Sequence, residues 1–299
     1  MNKIFKFTFS FLNRKGLLNF LSDKNYLKLM YWVKLDKKLN LNNPKTYNEK
    51  LQWLKLYNRN PIYTKLVDKY EVKELVAKEI GDQYIIPTLG VWDKFDEIDF
   101  DSLPNKFVLK CTHDSGGIVI CKNKETFDFK AAKRKINKSL KTNYFYTGGR
   151  EWPYKNVKPR IIAEEYMEDT VDKELRDYKF FCFDGKVKML FIASNRQGKG
   201  DTYFDFYDDE LNHLPFTNGH PNSPQDIKVP NTYDKMKKLA EILSKNMPHV
   251  KVDFYNVNGK IYFGEMTFYH WSGIVPFEPD EWDYKIGEWL KLPNMKDGE

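Results

Sequence analysis

Two segments, DYKFFCFDGKVKMLFIAS (177–194) and VKVDFYNVNGKIYFGEMTFY (250–269), each set two β-branched and aromatic runs around an Asx-Gly pair. Asp184-Gly185 and Asn258-Gly259 supply the positive φ that a two-residue turn requires, so each segment is predicted to be an antiparallel hairpin. A third, FVLKCTHDSGGIVI (107–120), reads the same way, its turn made of Asp114, Ser115, Gly116 and Gly117. Strands of this kind commit the chain to antiparallel sheets. Helical patterns lie before and between them, which makes the fold class α+β.

The helices are marked at their ends. Thr46 and Glu49 form a Thr-x-x-Glu capping box, so a helix starts there, carries Leu51, Trp53, Leu54, Leu56 and Tyr57, and stops at Asn60-Pro61. A second spans about residues 62–80 and ends at Gly81, a third covers the lysine-rich 129–140, and YDKMKKLAEILSKNM is the clearest of all. Strands are predicted at YIIPTLGVWD and RIIAEEYM.

Composition bounds the class. The 299 residues, 16% aromatic, suffice for a sizeable core or two lobes. Cys111, Cys121 and Cys182 are odd in number with no metal-ligand spacing, which points to a reducing, cytoplasmic setting. A net charge of +7 suits anionic partners, yet no nucleic-acid signature is present, and no nucleic-acid partner is expected. No apolar run reaches membrane-spanning length. The first segment, MNKIFKFTFSFLNRKGLLNFL, is basic and aromatic, with Phe5, Phe7, Phe9, Phe11 and Phe20 beside Lys3, Lys6, Arg14 and Lys15. Either it lies on an anionic bilayer surface, or its aromatics pack inward, since the run to Phe11 alternates as a strand does.

Charged residues stand out within apolar strands. Lys110 precedes a Gly-rich turn whose N–H groups a phosphate can approach, although such turns also occur with no ligand. Lys179 breaks an aromatic strand and is either outward-facing or aimed into a charged cleft. Asp253 and Glu265 sit on the two arms of the last hairpin; facing each other they would suit Mg²⁺, and otherwise each lies on a solvated face. Two lysines, a small-residue turn and two carboxylates are what Mg-nucleotide binding needs.

In this order the residues resemble the ATP-grasp superfamily, specifically its teichuronopeptide-biosynthesis (TupA-like) branch among bacterial surface-polysaccharide proteins. The resemblance spans roughly residues 39–276 and rests on NPKTYNEKLQWLKLYNRNP, DKYEVKELV, LPNKFVLKCTHDSGG, PRIIAEEYM, DYKFFCFDGKV and VDFYNVNGKIYFGEMTFYHWSG together. It implies an ATP-grasp fold, two α+β lobes enclosing a nucleotide, preceded by a helical N-terminal region. The implied divisions are 1–61 (basic, aromatic and helical), 62–105 (the N-terminal ATP-grasp part), 106–166 (the lid) and 167–299 (the metal- and substrate-binding lobe).

The same resemblance assigns roles. Lys110 and Lys179 would meet the ATP phosphates, Ser115, Gly116 and Gly117 would close over them, and backbone around Glu165, Tyr166 and Met167 would hold adenine. His113 would touch phosphate or stabilise the turn, and one of Glu168, Asp169 and Asp172 would bind ribose. Asp253 and Glu265 would hold Mg²⁺. Glu265-Met266-Thr267 departs from the usual Glu-x-Asn, so the second metal position, at Thr267, is weaker or completed by substrate. Arg196 would steady a phosphoryl oxygen or is a surface residue. His270 would face substrate or fill a structural role, while His213, His220 and His249 have no metal-like partners.

The implied activity is ATP-dependent carboxylate–amine ligation through an acyl phosphate, with ATP and Mg²⁺, joining an amino acid to a uronic-acid-containing surface glycan or precursor. A phosphotransferase acting on a glycan hydroxyl, a sugar-nucleotide glycosyltransferase and a non-catalytic nucleotide sensor are the rivals. For the glycosyltransferase, Asp208-Asp209 is a poor substitute for an Asp-x-Asp motif.

Overall fold

The computed structural model describes residues 3–170, 175–195, 200–225 and 227–294. Helices α1 (Lys3–Arg14), α2 (Asp23–Leu35), α3 (Tyr47–Tyr57), α4 (Ile62–Val67) and α5 (Glu71–Ile80) come first. Strands β1 (Thr88–Trp92), β2 (Phe107–Cys111) and β3 (Ile118–Cys121), helices α6 (Phe129–Leu140) and α7 (Tyr144–Thr147), and strand β4 (Ile161–Glu165) follow. The rest is β5 (Asp177–Phe183), β6 (Lys186–Ser194), β7 (Tyr203–Asp208), α8 (Tyr233–Leu243), β8 (His249–Val257), β9 (Lys260–Thr267) and α9 (Glu281–Trp289).

The strands form two antiparallel sheets, ordered β1-β4-β2-β3 and β7-β6-β5-β8-β9. Each has its own core. Phe107, Leu109, Ile161 and Ala163 of the smaller sheet pack on Ala132 and Ile136 of α6. The larger core joins the second sheet to α2, α3, α5, α8 and α9, so the N-terminal helices belong to the main body. This is the α+β, two-lobed arrangement expected. The small sheet begins at β1, ahead of the lid boundary at 106, because β1 pairs with β4.

Local chemistry explains most boundaries. Thr46 Oγ1 accepts from Glu49 N at 3.2 Å and Glu49 Oε2 accepts from Thr46 N at 3.2 Å, closing the capping box on α3. Asp184-Gly185 and Asn258-Gly259 all adopt positive φ and turn the two hairpins. The predicted helix over 62–80 is two helices instead. Asp68 interrupts it: it leaves helical geometry at the end of α4, and its Oδ1 accepts from Tyr70 N (2.8 Å) and Glu71 N (3.2 Å) to hold the turn into α5.

The N-terminal run is also corrected. It is helix α1, and of its phenylalanines only Phe9 is buried, 6.3 Å from the Tyr26 ring. Alternating Phe at positions 5, 7, 9 and 11 imitates a strand's period while the helix turns most of them outward. Among the described residues no helix is long and apolar enough to cross a membrane.

Candidate active site

Register puts the charged residues of the large sheet in one row. Lys179 on β5 lies opposite Asp253 on β8, and Asp253 lies opposite Glu265 on β9. A bulge makes this possible: between the pairs Asp253–Glu265 and Phe254–Phe263, Gly264 is the extra residue on β9. Without it, Phe263 and Glu265 would share a face; with it, Phe263 packs on Phe254 in the core and Glu265 turns to Asp253. A Cβ at Gly264 would lie 3.1 Å from Asp253 O.

Asp253 is buried and held by cations, so the alternative of a solvated face fails for it. Lys251 Nζ is 2.8 Å from Oδ1 and 2.9 Å from Oδ2, and Lys179 Nζ donates to Oδ2 and also to Asp177 Oδ1 at 3.2 Å. Burial works against the Lys179 ammonium, but Asp177, Asp253 and Glu265 outweigh it and hold its pKa above the ordinary lysine range. Burial likewise pushes the Glu265 pKa up, yet Lys251, Lys69 and Lys179 bring it below the usual carboxylate range. Thr267 Oγ1 lies 3.4 Å from Glu265 Oε1.

For Mg²⁺ the donor set is telling. Two carboxylates face each other, but both oxygens of Asp253 already accept from lysines, and no third acidic, His or Cys ligand completes a group among the described residues. Such a set fits an ion shared with phosphate oxygens, not one caged by protein alone.

The small sheet carries a charged cluster of its own. Lys110 on β2 lies 2.5 Å from Glu164 on β4, and Lys73 of α5 lies 2.6 Å from the same carboxylate. Burial raises the Glu164 pKa, but Lys110 and Lys73 overcome it, so it stays ionised below the ordinary range. Between the lobes is a cavity of about 250 Å³, walled by Lys110, Ile118 and Ile120 from the small lobe, Asp177 and Tyr255 from the large one, and Glu165, Tyr166 and Met167 at the connection.

The Gly-rich loop borders a second cavity of about 510 Å³. Ser115 lines it opposite Glu265 and Thr267, with Tyr154, Glu151 and the inner side of α1 around them. Gly117 N donates to Asp114 Oδ1 at 3.0 Å, and a Cβ at Gly117 would collide with Ser139 Oγ and meet Cys111 Cβ at 2.7 Å. Gly116, in contrast, faces open space. Burial pushes the Glu151 carboxyl up to about 7 despite Lys55 nearby.

The residues predicted from sequence thus divide. Lys179, Asp253 and Glu265 meet; Lys110, Glu165, Tyr166 and Met167 share one cavity; Ser115 and Thr267 border the other. His113 lies inside the small lobe, Nε2 bonded to the carbonyls of Ser139 (3.1 Å) and Thr142 (3.2 Å), which fits the turn-stabilising alternative. Asp169 Oδ2 accepts from Asn258 N at 2.8 Å at the tip of the β8–β9 hairpin, and Glu168 pairs with Lys106 at 2.8 Å. Arg196 and Asp172 lie outside the described residues. His270 is buried against Phe181 and Phe191, its Nε2 2.9 Å from Asn218 Oδ1, which makes it structural. Lys251, Glu164, Lys73 and Glu151 went unread. Only Lys251 carried a signal: two residues before Asp253 on a strand, it shares that residue's face.

Two α+β lobes meeting across a lysine-bearing cavity, one with a Gly-rich hairpin loop and the other with a carboxylate row, define an ATP-grasp architecture. The chain belongs to the TupA-like ATP-grasp family, whose sequence profile matches residues 49–291. Among solved structures, the D-alanine–D-alanine ligase of Bacillus anthracis aligns at 16% identity and a TM-score of 0.39, over 68% of this chain and 57% of its own. The same enzyme complexed with ATP aligns at 13% and 0.40, over 76% and 68%. The ATP-grasp ligase PsnB, complexed with minimal precursor, Mg and ADP, aligns at 10% and 0.39, over 86% and 65%. The chain therefore spans 57% of the length of the first of these ligases. A search of curated proteins finds no match to the sequence.

Proposed function

We propose that the protein is an ATP-dependent carboxylate–amine ligase joining an amino acid to a uronic-acid-containing surface glycan or its precursor. The observation that carries this reading is the in-register row Lys179–Asp253–Glu265 beside an inter-lobe cavity that holds Lys110. In it, residues 106–166 act as the lid over a nucleotide, 62–105 precede it, 167–299 form the catalytic body and 1–61 flank the acceptor side. Backbone at Glu165–Met167 receives adenine, Asp169 remains the proposed ribose acid, and Lys110 and Lys179 turn to the phosphates. Ser115, Gly116 and Gly117 cover the phosphates, with His113 bracing the loop and Arg196 proposed at the transferring group. Asp253 and Glu265, with Thr267 beside them, would hold Mg²⁺ jointly with the phosphates, and that ion supplies charge neutralisation when bound.

The steps balance without a covalent enzyme nucleophile. A carboxylate oxygen attacks the γ-phosphorus of ATP, the bond to the β–γ bridging oxygen breaks, and ADP leaves. The neutral amine then attacks the acyl carbon, the acyl C–O bond breaks, phosphate leaves carrying off the proton that the nitrogen gives up, and an amide remains. The second cavity is the acceptor side: Tyr144, Tyr154 and Trp271 among its lining offer faces for sugar rings, and Arg14 and Lys34 offer charge to a uronate. In this reading the reaction, drawing on ATP, runs on the cytoplasmic side of the membrane.

Hydroxylamine is the test. With ATP, Mg²⁺ and a panel of uronic-acid glycans it should intercept the acyl phosphate as a hydroxamate before any amine is added, and Lys110→Ala or Lys179→Ala should suppress the product. A stable phosphate ester in its place would establish a phosphotransferase, and consumption of UDP-sugar without ATP a glycosyltransferase.

A further inference from the structure

The net charge of +7 resides at the N-terminus. Residues 1–38 hold nine Lys and Arg against two Asp, and the other 261 residues balance to zero. Within this basic stretch α1 presents two adjoining surfaces. Ile4, Phe7 and Phe11, spaced i, i+3 and i+7, form an apolar stripe that is 72%, 73% and 42% exposed. Leu17 and Phe20 continue the exposed apolar surface just beyond the helix. Beside the stripe, Ser10, Asn13 and Arg14 line the 510 Å³ cavity that also contains Ser115, Glu265 and Thr267. The helix is fixed in this attitude by Phe9 against Tyr26 and by Tyr26 OH, which donates to Asn13 Oδ1 at 2.9 Å.

An exposed patch of aromatic and aliphatic side chains marks an interaction surface. Its basic surroundings match an anionic bilayer, where aromatics enter the headgroup boundary and lysines meet lipid phosphates. We infer that α1 docks on an anionic membrane and sets the mouth of the acceptor cavity against it, so that the acceptor is a bilayer-borne glycan. The docking itself follows from α1 alone; the acceptor follows only if the second cavity is the acceptor side of the ligase proposed above.

Vesicles of phosphatidylcholine, with and without phosphatidylglycerol, test both parts without the unknown acceptor. The full chain should sediment with the anionic vesicles at low salt and be released at high salt, and Phe7→Glu/Phe11→Glu should weaken binding at least ~tenfold. The three native cysteines are buried, so single added thiols report cleanly to a membrane-impermeant maleimide. Anionic vesicles should protect Phe7→Cys and Ser10→Cys, and leave Lys188→Cys, on the exposed side of β6, fully reactive. No sedimentation, or sedimentation untouched by the two glutamates, overturns docking. Protection of Phe7→Cys with Ser10→Cys still open overturns the bilayer-borne acceptor. Loss of the hydroxamate in solution, with vesicle results as expected, counts against the ligase reading alone.

Discussion

Lys251 and Asp253, two residues apart on β8, form a bidentate contact at 2.8 and 2.9 Å while Lys179 approaches the same carboxylate from β5. One buried anion therefore serves two buried cations. Asp253→Asn should cost about 3–5 kcal/mol, because both ammonium groups lose their shared partner. Lys251→Met should cost less, about 1–3 kcal/mol, since Asp253 retains Lys179. Urea unfolding at neutral pH measures both; an Asp253→Asn protein as stable as the parent would show these contacts to be energetically empty.

Glu265 is the cleaner probe of catalysis: it is only partly buried, and its carboxylate accepts from Thr267 Oγ1 whereas that of Asp253 is gripped by two lysines. Glu265→Gln should lower ATP turnover at least ~10²-fold and raise the Mg²⁺ concentration required. Stability should change by no more than about 1–2 kcal/mol. Turnover measured across a Mg²⁺ titration decides the matter, and a parental Mg²⁺ profile would remove Glu265 from the metal set.

Neighbouring glycines in the loop should respond differently. Gly117→Ala forces a methyl against Cys111 Cβ and Ser139 Oγ and should destabilise the protein by about 1–3 kcal/mol. Gly116→Ala meets nothing and should fall within about 0.5 kcal/mol of the parent. If Gly116→Ala nevertheless weakens ATP binding in calorimetry, the loop backbone approaches the phosphates closely.

Acid sensitivity should trace in part to His249, whose pKa burial lowers from 6.5 to about 3. Between those values the unfolded chain binds a proton that the folded chain refuses, so stability rises with pH there and is lost as pH falls below about 6.5. The slope from this residue reaches about 1.4 kcal/mol per pH unit. His249→Gln should flatten the curve of unfolding free energy against pH over that window. Asp283, whose burial raises its carboxyl to about 6, acts in the opposite sense in both proteins and cancels in the comparison. An unchanged slope would mean that His249 titrates normally.

What the sequence disclosed was whatever depends on neighbours in the chain. Asn258-Gly259, Asp184-Gly185 and the Thr46–Glu49 box each dictate a turn or cap through their own backbone, and each recurs in the structure. The row Lys179–Asp253–Glu265 could be nominated because charge is costly within apolar strands. Glu164 and Lys73 could not, since their value arises where one carboxylate is met by Lys110 from a neighbouring strand and by Lys73 from a distant helix. The facing of Glu265 was hidden for a related reason: one residue of bulge at Gly264 reverses the alternation on which strand reading relies.

The Asp169–Asn258 bond has a mechanical meaning. Asn258 Oδ1 also accepts from Thr170 N and Thr170 Oγ1, each at 2.9 Å, so the tip of β8–β9 is buttoned to the segment leaving the small lobe after β4. The two lobes are therefore joined twice, once by the chain itself and once through the tip of the very hairpin whose arms carry Asp253 and Glu265.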